Sequence, residues 1–240
     1  MALFLRRCCR YHGANDPRPS VIVTTRLAVF DCDGTLVDSQ ANICRAMEEA
    51  FLLADRRAPP RATIRRIVGL SLVEALRALL PDADDATHRR MAADYKEAFF
   101  RLRTSGAMAE EPLFDGIASV LERLAAQGWL LGVATGKSDR GLAHILAHHG
   151  LAGRFVTLQT ADRHPSKPDP SMLIAAMAEA GAAPAETAMI GDTSFDMAMA
   201  KAAGARAVGV AWGYHDRADL LRGGADVVAD QVAALPGLLA

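Results

Sequence analysis

Leu27-Ala28-Val29-Phe30-Asp31-Cys32-Asp33-Gly34-Thr35 is the stretch whose reading decides the fold of this chain. Four apolar residues without a polar break read as a central parallel strand covered on both faces, since alternation is expected only where one face meets water. The run stops at two aspartates spaced two apart, and Gly34 lets the backbone turn directly after them. Outward from this point the same unit recurs. Trp129-Leu130-Leu131-Gly132-Val133-Ala134 runs into Thr135-Gly136-Lys137, and Ala188-Met189-Ile190 runs into Gly191-Asp192-Thr193. Phe155-Val156-Thr157-Leu158 is followed, after a gap, by Ser166-Lys167-Pro168-Asp169-Pro170, and residues 207–210 and 226–228 read as two further strands.

Between the strands, apolar residues recur at helical spacing: Ile117, Val120, Leu121 and Leu124, then Leu142, Ile145 and Leu146, then Met172, Leu173, Ala176 and Met177. Strand-helix alternation predicts an α/β fold with a doubly wound, Rossmann-like parallel sheet. Its ligand crevice should lie beyond the carboxyl ends of the strands, where the polar residues just quoted stand. Residues 39–111 break the alternation. They hold helical segments near 42–55, 60–68, 71–80 and 84–103, punctuated by Pro59-Pro60 and Pro81. The expected organisation is a disordered tail over 1–20, a core over 21–38 and 112–240, and an all-helical cap over 39–111 inserted after the first strand.

Composition narrows the classes. The 240 residues are 51% hydrophobic and 23% charged, enough for a real core. A net charge of −1 leaves no overall field for nucleic acid or an anionic membrane, and no apolar run reaches the roughly 18 residues that span a bilayer. Cys8, Cys9, Cys32 and Cys44 form no disulfide framework and no CxxC pair, which fits the reducing cytoplasm. Arg6, Arg7 and Arg10 beside Cys8 and Cys9 are read as part of the tail, without a targeting role.

The chemistry lies at the strand ends. Environment can force two close carboxylates such as Asp31 and Asp33 into different ionisation states, one a nucleophile and the other a proton donor. Asp192 adds a third from another strand end, and such an all-oxygen cluster suits Mg²⁺. Thr135 and Gly136 offer a hydroxyl and backbone N–H groups to a phosphate, and Lys167 offers a point charge. Alone, each reads as a turn, a cap or a solvated lysine. Their order, each just after a strand, points to phosphoryl transfer.

The run from Phe30 to Ser39 resembles the first motif of the haloacid dehalogenase superfamily, in its phosphatase branch. Thr135 in Val-Ala-Thr-Gly-Lys resembles the second motif, Lys167 in Ser-Lys-Pro-Asp-Pro the third, and Gly191-Asp192-Thr193-Ser194-Phe195-Asp196 the fourth. Val68-Gly69 and the run Gly209 to Tyr214 are similar to phosphoglycolate phosphatase-like members. The resemblance covers about 26–240. It implies that Asp31 attacks phosphorus to form an aspartyl phosphate, and that Asp33 protonates the leaving alkoxide and then activates water. It further implies Mg²⁺ on the Asp31 carboxylate, the Asp33 carbonyl and the Asp192 carboxylate, with Asp196 an outer ligand or orienting group. Thr135 and Lys167 would hold phosphoryl oxygens. Asp33 must start protonated for this role, which a water-excluding cap would favour. The loop around Gly69 and Ser71 is expected over the site, with capping of the next helix the ordinary role for Ser71.

The expected partner is a small phosphorylated metabolite. A β-phosphoglucomutase-like mutase and an inorganic pyrophosphatase share the core motifs, a dehalogenase is disfavoured by Asp33, and a non-catalytic phosphate-binding regulator would be expected to have lost one of the motif residues. His144, His148 and His149 read as a solvated helix end, Cys32 as a small buried residue, and Asp38 as a helix-start cap. Arg61, Arg65 and Arg66 read as an exposed basic face or a steering group for anions.

Overall fold

The computed structural model describes residues 24–240. The expected tail, with Cys8, Cys9 and their neighbouring arginines, and positions 21–23 of the expected core lie outside the described residues.

Strand β1 (Arg26–Phe30) occupies the middle of a six-stranded sheet, and all of its neighbours are parallel. In chain order the others are β2 (Trp129–Thr135), β3 (Thr157–Thr160), β4 (Thr187–Gly191), β5 (Arg206–Val210) and β6 (Val227–Ala229). The spatial order β3-β2-β1-β4-β5-β6 winds outward in both directions from β1, so the order reverses between β1 and β4. In such sheets the crevice opens at this switch point.

Alternate residues of β1 explain why it carries no polar break. Ala28, Phe30 and Cys32 pack into one apolar layer with Ile117, Val120 and Leu124 of α5 (Ile117–Ala126) and with Leu142 and Ile145 of α6 (Asp139–His148). Leu27 and Val29 face the opposite layer, built from α7 (Ser171–Ala180), α8 (Ser194–Ala202) and α9 (Arg217–Arg222). The short α10 (Leu235–Leu238) closes the first layer through Leu235. Both faces are covered, as a parallel sheet requires.

The third strand is displaced from its expected place. It runs from Thr157 to Thr160, while Phe155 drops into the apolar layer beneath. Its polar residues are satisfied locally: Gln159 Nε2 donates to Thr157 Oγ1 at 2.7 Å, and Thr160 Oγ1 donates to Asp139 Oδ1 at 2.7 Å. An apolar-run criterion therefore placed the strand two residues early.

Between β1 and α5 the chain forms α1 (Gln40–Leu53), α2 (Arg61–Arg65), α3 (Leu72–Leu79) and α4 (Asp85–Thr104). These four helices hold an apolar core of their own, with Met47, Phe51, Ile64, Leu76 and Met91 fully buried. They rest on the strand ends through the loop before α3. An ideal Cβ on Gly136 would lie 2.6 Å from the Leu70 carbonyl oxygen, and Ser71 N donates to Ser166 Oγ at 2.8 Å. Ser71 stands at the N-cap of α3 without a side-chain capping bond, so the capping expected of it is absent. At the start of α1, Asp38 Oδ1 accepts from Gln40 N at 3.3 Å, while the N-cap residue Ser39 turns its hydroxyl to Asp33 instead of capping.

Candidate active site

The loop leaving β1 is wound around the Cys32 carbonyl, which accepts from the Leu36 N–H at 2.9 Å and the Val37 N–H at 3.1 Å. Cys32 points into the apolar layer, so Asp31 and Asp33 share the other side of the extended segment. Gly34 has φ +88°, and a Cβ there would meet Asp192 Oδ2 at 2.2 Å. Only glycine lets this turn close on the carboxylate from β4.

Asp31, Asp192 and Asp196 come together at the switch point, each with a carboxylate oxygen within 4.8 Å of the others, and all are buried. Lys167, itself 1% exposed, donates to Asp31 Oδ1 at 2.8 Å and to Asp196 Oδ1 at 2.7 Å. Thr35 Oγ1 and Tyr214 N each donate to Asp192 at 2.9 Å. Asp196 closes a capping box on α8, accepting from Thr193 N and Thr193 Oγ1.

Three buried carboxylates against one lysine leave an excess of negative charge. Burial pushes Asp31 up to about 7; Lys167 opposes that rise, and Asp196 adds to it. Asp192 is likewise raised well above the carboxylate range, by burial and then by Asp31 and Asp196. For Lys167, burial disfavours the charge, but Asp196 and Asp31 outweigh it and hold the ammonium up. Asp31 Oδ2 is buried without any hydrogen-bond partner. An orphaned carboxylate oxygen in an over-acidic, all-oxygen pocket fits a hard divalent cation such as Mg²⁺.

Asp33 takes a different direction. Its Oδ1 lies 2.5 Å from Lys137 Nζ, and the Ser39 hydroxyl donates to the same oxygen. The acidic group assembled in the fold is therefore Asp31, Asp192 and Asp196, and the Asp33 carboxylate stands apart with a lysine counter-charge. Asp33 is buried, as a water-excluding cap would make it, and carries in addition a lysine partner that the sequence did not suggest. Glu111, buried beneath the same lysine, is raised above its ordinary range by burial, with Lys137 opposing.

Thr135 ends β2 fully buried, and its Oγ1 accepts from Lys137 N at 3.2 Å. With Gly136, Asp31, Asp33 and Lys137 it forms the floor of a cavity of about 400 Å³. The roof is the loop carrying Gly69 and Ser71 together with α1 and α4. Gly69 has φ +101°, and a Cβ would lie 3.2 Å from Thr193 Oγ1, so it marks close contact between roof and core.

The arginines of α2 and its C-cap are committed elsewhere: Arg61 to Glu48, Arg65 to Gln40 at 2.9 Å, and Arg66 to Asp219 at 2.8 Å. His149 Nε2 bonds the Glu111 carbonyl at 2.8 Å, and the histidines of α6 join no cluster of potential metal ligands among the described residues. Lys137 and Ser39 are the site residues that sequence reasoning missed. Their signal was position, two residues after Thr135 and directly after the first motif. The aromatic wall of α4 was also missed, although Tyr95 and Phe99 stand four apart.

Residues 28–210 match the family model described as haloacid dehalogenase-like hydrolase. A probable phosphatase, IndB, of Dickeya dadantii is 35% identical over 213 residues, covering 88% of this chain and 92% of the relative. A phosphoglycolate phosphatase of Pseudomonas putida is 30% identical, covering 88% of this chain and 79% of that protein. Among solved structures, a hydrolase from Pseudomonas syringae superimposes with a TM-score of 0.78 at 27% identity, covering 89% of this chain and 98% of the other.

Proposed function

The chain belongs to the haloacid dehalogenase-like hydrolases and is a phosphatase, and from that premise we propose a Mg²⁺-dependent phosphomonoesterase that forms an aspartyl phosphate at Asp31. The observation that carries this reading is the buried Asp31–Asp192–Asp196 cluster, with Lys167 as its only ammonium and Asp31 Oδ2 unpartnered. Mg²⁺ would be held by the Asp31 and Asp192 carboxylates and the Asp33 carbonyl, with Asp196 behind them. When bound, it would neutralise charge on the phosphoryl oxygens.

Lys167 favours the ionised form of Asp31 against burial and steadies it for in-line attack on phosphorus. Thr135 Oγ1 and the Gly136 N–H hold the transferring oxygens. As the ester bond breaks, the Asp33 carboxyl gives its proton to the departing oxygen and becomes a carboxylate beside the Lys137 ammonium and the Ser39 hydroxyl. Asp33 then accepts a proton from the water that attacks the acyl phosphate, which releases phosphate and restores Asp31. Residues 39–111 act as a cap that keeps bulk water out of this sequence of steps. The substrate is a small phosphorylated metabolite, and the free, buried thiols of Cys32 and Cys44 support a cytoplasmic setting.

The test is rapid-quench labelling with a ³²P-phosphate ester and Mg²⁺. Wild type should carry acid-stable, hydroxylamine-sensitive label, and Asp31→Asn should carry none. Label retained on the variant overturns the assignment.

A further inference from the structure

We propose that the ester cleaved here has an apolar, ring-sized alcohol group, selected by Tyr95, Phe99 and Phe100 on α4. The inference rests on the phosphatase reading and adds the substrate class to it. The cavity of about 400 Å³ falls in the range of roughly 300–1,000 Å³ that encloses drug-sized molecules. A phosphoryl group with a two-carbon acid would leave most of it unfilled.

The lining divides by chemistry. Carboxylates come only from the core side, as Asp31, Asp33 and Asp162, and the roof contributes no acid and no carboxamide. Its polar side chains are Ser71, Tyr95, Lys96 and Arg103, and the rest of its surface is apolar and aromatic. A sugar phosphate entering there would lose water from several hydroxyls and find few partners for them, which a polar site would be built to supply.

The aromatic wall also stands in the right place. The proton for the leaving oxygen comes from Asp33, whose Oδ1 is 2.5 Å from Lys137 Nζ, and that nitrogen is 5.9 Å from the centre of the Phe99 ring. The first atoms of the alcohol beyond the leaving oxygen therefore run along Phe99. Further out, Phe100 is 40% exposed at the cavity rim, with the Arg140 guanidinium 4.7 Å from its ring centre. Tyr95 and Phe99, one helical turn apart, continue the same face inward. Rings of this kind stack on planar or apolar bodies, and they hold them without hydrogen bonds.

The experiment compares ethyl phosphate, 2-phenylethyl phosphate, 2-phosphoglycolate and glucose 6-phosphate with Mg²⁺, since alkyl leaving groups separate binding from leaving-group reactivity. The expected order places 2-phenylethyl phosphate first, about tenfold above ethyl phosphate in kcat/KM and mostly through KM. Phe99→Ala and Phe100→Ala should each lower that ratio about fivefold or more. Phe100 is exposed enough that its variant should fold even where Phe99→Ala does not. Preference for 2-phosphoglycolate or glucose 6-phosphate, or a ratio unmoved in the folded variants, overturns the inference and leaves the phosphatase reading standing. No turnover of any ester by folded wild type overturns the phosphatase reading, and this inference with it.

Discussion

Asp31→Asn should stabilise the metal-free protein above neutral pH, although it abolishes turnover. In the folded chain, burial raises the Asp31 carboxyl from an ordinary 3.8 to about 7, with Lys167 only partly offsetting it. Between about pH 4 and pH 7 the folded state therefore keeps a proton that the unfolded chain has released. The native state binds more protons, so stability falls as pH rises through this window and levels off above it. At about 1.4 kcal/mol per pH unit, the loss reaches about 4 kcal/mol. Asparagine carries no charge and escapes that loss, while its carbonyl oxygen can still accept from Lys167. The variant and wild type should therefore be nearly equal at pH 4. They should separate by about 2–4 kcal/mol at pH 8, or roughly 5–15 °C in Tm for a chain of this size. The measurement is urea unfolding in EDTA at pH 4, 5, 6, 7 and 8. Added Mg²⁺ at pH 8 should narrow the gap by stabilising wild type more, because ligand binding to the native state adds stability. A variant less stable than wild type at pH 8 in EDTA, or a gap that does not change with pH, would refute the account of an over-acidic cluster.

Three further outcomes follow from the geometry. Asp192→Asn should raise the Mg²⁺ concentration for half-maximal activity at least tenfold, and Asp38→Asn, whose carboxylate serves Gln40, should leave it within about twofold; equal effects in a Mg²⁺ titration would place the cation elsewhere. Lys137→Met should cost about 3–5 kcal/mol by stripping the buried Asp33 carboxylate of its partner, and the double variant with Asp33→Asn should recover much of it; a non-interacting cycle in denaturant unfolding would show the pair to be unimportant. Gly136→Ala should lower kcat/KM at least tenfold with little loss of secondary structure by circular dichroism, because its methyl would collide with the Leu70 carbonyl and lift the roof. Unchanged kinetics would mean that this contact does not close the cavity.

The chain's own pattern specified the core to a large extent. An unbroken apolar strand ending in polar residues has one stable setting, a sheet covered on both faces. The repeated unit accordingly yielded six parallel strands with helices on either side. β3 escaped that logic because its polar residues offset burial with side-chain hydrogen bonds, Gln159 to Thr157 in the same strand and Thr160 to Asp139 on α6. Ser39 departs from the local preference for capping because the turn after β1 brings the Asp33 carboxylate to its hydroxyl.

From the sequence alone came the α/β class, the helical insertion and the nomination of Asp31, Asp33, Thr135, Lys167 and Asp192, since these depend on residues adjacent in the chain or on its periodicity, while Asp196 came from the family resemblance. Tertiary structure decided how the acids divide. Asp31, Asp192 and Asp196 gather around Lys167, while Asp33 turns to Lys137, more than a hundred residues away in the chain. It also decided how the cavity is lined, because α4 meets the strand ends through the packing of the inserted helices on their own core. Charge balance and cavity lining are sums over residues far apart in sequence, and no local pattern encodes such sums.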